Sequence, residues 1–168
     1  MSASQEISFL ALTGLENKSF SLLWRGSHDG FDAAAFHRLC DGKANTLTII
    51  KNTNGFIFGG FTSIPWSSMQ GYKTDSIAFL FSLTNSSNTP LKLKVNFPEN
   101  AVYHFLNYGP TFGAGRDLHV SSLSNTSYMN LKSYEFPNGI SGNEGGQFIV
   151  GGYDNKFQTA EIEVFQVS

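Results

Sequence analysis

Hydrophobic positions in this chain fall in short runs separated by glycine, asparagine and serine, and most runs have the period of a strand. Leu91-Lys92-Leu93-Lys94-Val95-Asn96-Phe97 alternates strictly, which predicts one buried and one wet face. Residues 77–83 are apolar at every position but Ser82, as expected of a central strand covered on both faces. Residues 46–50 and 56–62 flank the turn Asn52-Thr53-Asn54-Gly55 and predict a hairpin. Gly59-Gly60 inside its second arm marks a bulge or a close backbone approach. Residues 20–24 read as a strand leading into the turn 26–30. Weaker strands are expected at 101–106, 118–120, 134–136 and 148–150, with Gly142, Gly145 and Gly146 forming a turn before the last. Residues 160–167 alternate until Phe165, where the phase slips and a bulge is expected.

Residues 31–40 give the clearest helix. Asp32 is placed to cap it, and Phe31, Ala35, Phe36, Leu39 and Cys40 share a face before Asp41-Gly42 closes it. In the first 18 residues, Ile7, Phe9, Leu10 and Leu12 fit either a helix or a strand, and Gly14 ends either. Eight to ten strands with no helix between successive ones exclude a doubly wound sheet, and no fixed repeat suggests a propeller. The expected fold is mainly β: a two-sheet antiparallel β-sandwich flanked by one to three short helices.

At 168 residues the chain suits one domain. Charged residues are only 14% of it, aromatics another 14%, with 16 Phe and 17 Gly, a profile that excludes a disordered tail or a coiled coil. Net charge is −2 and no like-charge run occurs, so neither nucleic acid nor anionic lipid is an expected partner. No run approaches a membrane span, and the start has neither a basic nor an apolar signal segment. Cys40 is the single cysteine, so no internal disulfide forms; a cytoplasmic monomer is expected. Sequons at Asn17, Asn85 and Asn125 are read as unmodified turns.

Catalytic signatures are absent. No Gly-x-Ser-x-Gly elbow, His-Glu-x-x-His pair or phosphate loop occurs, and His28, His37, His104 and His119 lack ligand spacing; no metal or other cofactor is expected. Cys40 as a nucleophile is outweighed by its place on an apolar helix face. Glu161 and Glu163 project to one side of the last strand, at a spacing loosely compatible with an acid/base pair, although a solvated strand face explains them more simply. Asp75 and Asp117 read as turn or capping residues. Residues 108–117 contain Gly-x-Gly, but no helix pattern follows, so a dinucleotide fingerprint fails and a tight loop against Phe112 is expected. Trp66, following Ser63-Ile64-Pro65, is either a core plug or an exposed contact.

Several segments, in order, carry a resemblance. Leu23-Trp24-Arg25-Gly26-Ser27, Asp29-Gly30-Phe31 and Phe36-His37 precede Cys40-Asp41-Gly42-Lys43 and Thr46-Leu47-Thr48-Ile49-Ile50-Lys51. Phe58-Gly59-Gly60-Phe61-Thr62-Ser63-Ile64-Pro65-Trp66 follows, then Ala78-Phe79-Leu80-Phe81-Ser82-Leu83, Gly109-Pro110-Thr111-Phe112-Gly113 with Asp117-Leu118, and Glu161-Ile162-Glu163-Val164-Phe165. Together they resemble the TLDc domain of the oxidation resistance proteins, with residues 1–21 as a lead-in and 22–168 as the domain. The resemblance implies a two-sheet antiparallel sandwich, protection against oxidative stress without an established catalytic set, and, in several members, binding to the peripheral sector of the V-ATPase. The leading expectation is therefore a non-catalytic interaction domain. Its contact candidates are Ser63, Trp66, Phe112, Asp117, Glu161 and Glu163. The competing readings are a carbohydrate-binding sandwich with aromatic, Asn-rich loops, and an enzyme using Cys40 or the Glu161/Glu163 pair.

Overall fold

The computed structural model describes residues 3–122, 127–137, 139 and 142–168; the sequon at Asn125 lies outside them. Two antiparallel sheets face each other. In chain order the elements are α1 (Ala3–Thr13), β1 (Phe20–Arg25), the single-turn α2 (Gly26–Asp29), α3 (Ala33–Cys40), β2 (Thr46–Asn52) and β3 (Ile57–Thr62). Then come β4 (Gly71–Lys73), β5 (Phe79–Ser82), β6 (Leu91–Val95), a 3-10 turn (Pro98–Asn100), β7 (Val102–His104), β8 (Tyr108–Phe112) and β9 (Leu118–Ser121). The chain closes through β10 (Ser127–Tyr128), β11 (Tyr134–Glu135), α4 (Gly142–Val150), β12 (Lys156–Phe157) and β13 (Thr159–Val167). Sheet one runs β1-β13-β2-β3-β5-β6-β11, and sheet two runs β12-β10-β9-β8-β7-β4. The sandwich is as expected, with four α-helices among the described residues.

The register of sheet one explains its residue choice. Trp24, Val164, Thr48, Gly60, Leu80 and Leu93 form one row across the sheet and face the interior. The adjacent row, Leu22, Phe165, Leu47, Phe61, Phe79 and Lys94, faces outward. That outward face is also apolar, and α1 covers it: Phe9 packs on Phe81 with centroids 5.0 Å apart, within a second buried cluster that includes Leu47, Phe61 and Phe79. The lead-in is therefore a helix. Gly14 (φ +77) ends it, and Lys92 Nζ donates to the Thr13 carbonyl at 2.9 Å while lying over the Phe79 ring. The expected wet face of residues 91–97 is accordingly only half wet, because α1 draws Lys92 inward.

Gly60 marks a close approach. The β2–β3 register is unbroken there, and a Cβ at Gly60 would lie 2.7 Å from Leu80 and 2.9 Å from Phe112. Near Phe165 the bulge is in the partner strand, where β1 shifts between Leu22 and Trp24 while β13 keeps step with β2 from Glu161 to Gln166. The phase slip has another cause: on the outer face Phe165 packs edge-on against Phe20 of β1 and Val167 joins the buried cluster that includes Phe9 of α1, so apolar residues are favoured there. Residues 148–150, expected as a strand, instead end α4. Its buried positions are Gly145, Gly146, Ile149 and Val150, a helical spacing in which glycines serve as face residues. A side chain at Gly146 would run into the Met129 carbonyl.

α3 forms as expected. The Asp32 side chain accepts from the Ala35 N–H at 2.8 Å, and Phe36 packs between Trp24 (5.4 Å) and Trp66 (5.3 Å). Phe31 lies before the helix and is 37% exposed, so it is not on the buried face.

Candidate functional site

Three of the six contact candidates go inside. Trp66 is 2% exposed, its ring packed among Phe36, His104 and Phe112 and its Nε1 donating to Thr46 Oγ1 at 2.8 Å. It is the core plug of the two sequence alternatives. Phe112 is fully buried on β8, which occupies part of the segment expected as a loop. Asp117 is also fully buried.

Asp117 stands just before β9 in sheet two, and its Oδ2 accepts from the N–H groups of Lys132 (2.7 Å), Ser133 (2.6 Å) and Tyr134 (2.9 Å). Tyr134 belongs to β11 of sheet one, so one carboxylate ties the two sheets together at this end. Gly113 (φ +81) lies against the carboxyl, and any side chain there would collide with it. Burial pushes the Asp117 pKa up to about 6, and the three amide hydrogen bonds oppose that rise. Its Oδ1 is buried without a hydrogen-bond partner.

Ser63 is half-buried and bound to Asp75. Asp75 accepts from Thr62 Oγ1 and the Ser63 N–H (both 2.7 Å), from Ser63 Oγ (2.9 Å) and from the Ile77 N–H (3.1 Å). That buried carboxylate holds the exit of β3 to the entry of β5. Loop residues read as a contact surface are thus the joints of the sandwich.

Glu161 and Glu163 stay at the surface, half-buried on the outer side of β13. Arg25 reaches Glu163 Oε1 through Nε (2.7 Å) and a terminal nitrogen (2.6 Å). Glu161 accepts from the Ser27 N–H at 3.1 Å and from the Ser27 hydroxyl. The carboxylates sit on one strand side by side with neighbours already engaged, whereas a glycosidase pair flanks a cleft. Glu163 also rims a shallow cavity of about 260 Å³ between α1 and β13, walled by Phe9, Leu10, Phe20, Ile49 and Phe165.

Nucleophile chemistry finds no assembled set among the described residues. Cys40 is fully buried, and burial together with the nearby charges of Asp41 and Asp29 pushes its thiol up to about 12. Ser68, Asp41 and His37 form a hydrogen-bonded chain, but in the wrong order. Ser68 Oγ meets Asp41 at 2.6 Å, Asp41 meets His37 Nδ1 at 2.7 Å, and His37 Nε2 faces the carbonyls of Phe105 and Tyr108. A base needs a free ring nitrogen beside the hydroxyl it activates, and this one is aimed at two acceptors. His104 and His119 are both lowered to about 4, chiefly by burial. No metal-holding group of His, Cys, Asp or Glu occurs among the described residues.

The sequence reading missed a row of polar aromatics on the outer face of sheet two. Tyr72 contacts Tyr103 (4.8 Å), Tyr103 contacts Tyr108 (6.2 Å), Tyr108 contacts His119 (4.6 Å), and His119 contacts Tyr128 (5.2 Å). Arg116, at φ +54, donates to the hydroxyls of Tyr108 (2.8 Å) and Tyr128 (2.9 Å). The signal was available in Val102-Tyr103-His104, Leu118-His119-Val120 and Ser127-Tyr128-Met129, where a polar aromatic sits between two residues that face the core.

Fold and sites define a two-sheet antiparallel β-sandwich domain in which buried Asp117 and Trp66 link the sheets. The sequence model of the TLDc domain matches residues 2–168, and the chain belongs to the TLDc family. It is 30% identical over 109 residues to an MTOR-associated protein MEAK7 of Gallus gallus, a match covering 63% of this chain and 18% of that protein. A protein of the same name from Danio rerio is 41% identical over 44 residues, or 26% of this chain and 10% of the relative. The chain thus matches less than a fifth of the length of these relatives. No helix among the described residues is long and apolar enough to cross a membrane.

Proposed function

We propose that this TLDc domain acts as a non-catalytic protein-interaction module, linked to oxidative stress resistance by binding the peripheral sector of the V-ATPase. The observation carrying this reading is that the sequence's own candidates for nucleophilic or acid/base chemistry, and the one Ser–Asp–His chain found among the described residues, are buried or engaged: Cys40, Asp117, the Ser68–Asp41–His37 chain and the Glu161/Glu163 pair. Family membership supports it, and the name of the MEAK7 relatives adds mTOR association as a second protein partner to test. Of the contact candidates, Glu161 and Glu163 carry the surface, while Trp66, Phe112 and Asp117 are buried and Ser63 is held by Asp75. The domain works in the cytoplasm, where the V-ATPase peripheral sector is accessible.

The test is affinity purification from its own cells with the unchanged chain and with Glu161→Gln/Glu163→Gln. V-ATPase peripheral subunits are expected with the first and depleted with the second. Enrichment no greater than with an unrelated folded domain contradicts the V-ATPase reading. In parallel, a thiol reagent on the native chain should leave Cys40 unlabelled until unfolding; rapid native labelling would reopen the enzymatic alternative.

A further inference from the structure

We propose that the outer face of sheet two is a second recognition surface, one that docks an extended acidic segment of a partner protein. The inference does not depend on the Glu161/Glu163 surface, which lies on sheet one.

The argument begins with register. Antiparallel partners project to the same side, so the pairs Tyr72–Tyr103, Thr111–His119, His119–Tyr128 and Tyr128–Lys156 place these side chains on one face. Val102, Phe112 and Leu118 point the other way, into the sandwich core. Tyrosine and arginine are enriched where proteins bind one another, because a rigid ring or planar fork loses little freedom on binding. Here they lie across neighbouring strands with Tyr72 46% exposed and Tyr103, Tyr108, Arg116 and Tyr128 half-buried, over a buried Thr111 and His119.

Hydrogen-bond direction then selects the ligand. Arg116 donates to the hydroxyl oxygens of Tyr108 and Tyr128, and Gln70 Nε2 donates to that of Tyr103 at 3.0 Å. Guanidinium and amide N–H groups can only donate. All three phenols therefore act as acceptors internally and keep their O–H protons for an outside acceptor. Lys156 adds a second exposed cation at the edge. No carboxylate occupies an outward strand position among these pairs; Asp154 lies in the turn before β12 and accepts the Lys156 N–H at 3.0 Å. A donor-rich face with two cations complements carboxylates. Sugar stacking fits less well, since Arg116 lies over the Tyr108 ring at 4.9 Å and the Tyr103 and Tyr108 rings are tilted 45° apart, so they offer no flat platform. Two cations are too few for the salt-dependent grip that nucleic acid requires.

A random dodecapeptide display library selected on the full chain tests this. Recovered sequences should be enriched in Asp and Glu, bind more weakly as salt rises, and lose at least about tenfold in affinity on Tyr103→Phe or Lys156→Glu. Tyr103→Phe keeps the ring and removes the hydroxyl, taking away both the free O–H donor and the acceptor of the exposed Gln70 Nε2, whose amide water can satisfy, and thermal unfolding of both variants should match the parent. Glu161→Gln/Glu163→Gln should leave peptide affinity unchanged, which separates this surface from the one proposed above. Selection that yields no binders, binders without acidic enrichment, or acidic binders indifferent to Tyr103→Phe and Lys156→Glu would overturn the proposal. So would cellohexaose binding that competes with the peptides more strongly than excess glutamate.

Discussion

The two sheets treat their outer faces in opposite ways. On sheet one the outward positions Leu47, Phe61, Phe79 and Phe81 are apolar, and α1 covers them with Phe9, making a second buried cluster. On sheet two the outward positions are Tyr72, Tyr103, His119 and Tyr128, and no helix among the described residues contributes a ring contact or hydrogen bond to those tyrosine side chains. The tyrosines carry hydroxyls that water or a ligand can satisfy, while His119 is buried among them with its Nδ1 against Thr111 Oγ1, so this face can go without a helix where a phenylalanine face cannot. The abundance of Phe is thus explained by a sheet with two buried sides. The tyrosines mark the side that no helix among the described residues covers in this way.

Truncation should break the symmetry between the faces most. Phe81→Ala removes the ring that anchors α1 and is fully buried, so unfolding by denaturant should show a loss of about 3–5 kcal/mol. Tyr72→Ala on the other face should stay within about 1 kcal/mol. Equal losses would mean that the second face is packed as tightly as the first.

The next largest effect probes what joins the sheets. Asp117→Ala leaves the N–H groups of Lys132, Ser133 and Tyr134 without their acceptor, with an expected cost of about 2–4 kcal/mol in the same assay. A cost below about 0.5 kcal/mol would show that the carboxylate does not hold β11 to β9.

A smaller effect comes from pH. The Asp117 pKa is raised to about 6 from an ordinary 3.8, so its contribution favours the folded state at low pH and is lost as pH rises through about 6. His104 and His119 are lowered to about 4 from 6.5, so the unfolded chain binds more protons there and stability rises with pH between about 4 and 6.5. Two histidines oppose one carboxylate, leaving a net gain of at most about 1.4 kcal/mol per pH unit in that window. Replacing Asp117 with Asn should steepen the gain, measured as unfolding free energy at several pH values. A flatter profile would contradict the assignment.

Much of this fold was legible in the residues. The hairpin around Asn52–Gly55, the Asp32-capped helix and the alternating last strand each combine a period with a turn or cap, and such local signals survive packing. Residues 148–150 were misread because their helical period runs through Gly145 and Gly146, which carry no hydrophobic signal. The contact candidates were harder. A polar or aromatic residue in a Gly-rich segment looks exposed in sequence, yet Trp66 and Asp117 are buried because partners distant in the chain, Thr46 and the 132–134 backbone, satisfy their polar atoms. The tyrosine row arises from cross-strand register over five strands of sheet two, which no single segment displays.

Tyrosine nitration of the native chain, mapped residue by residue by mass spectrometry, tests the uncovered face most directly. Tyr72, at 46% exposed, should be modified readily, whereas Tyr134, at 3% exposed with its hydroxyl on the Ala101 carbonyl, should be spared until the chain unfolds. Protection of Tyr72 equal to that of Tyr134 would contradict the account, because both sheets would then be covered on their outer sides.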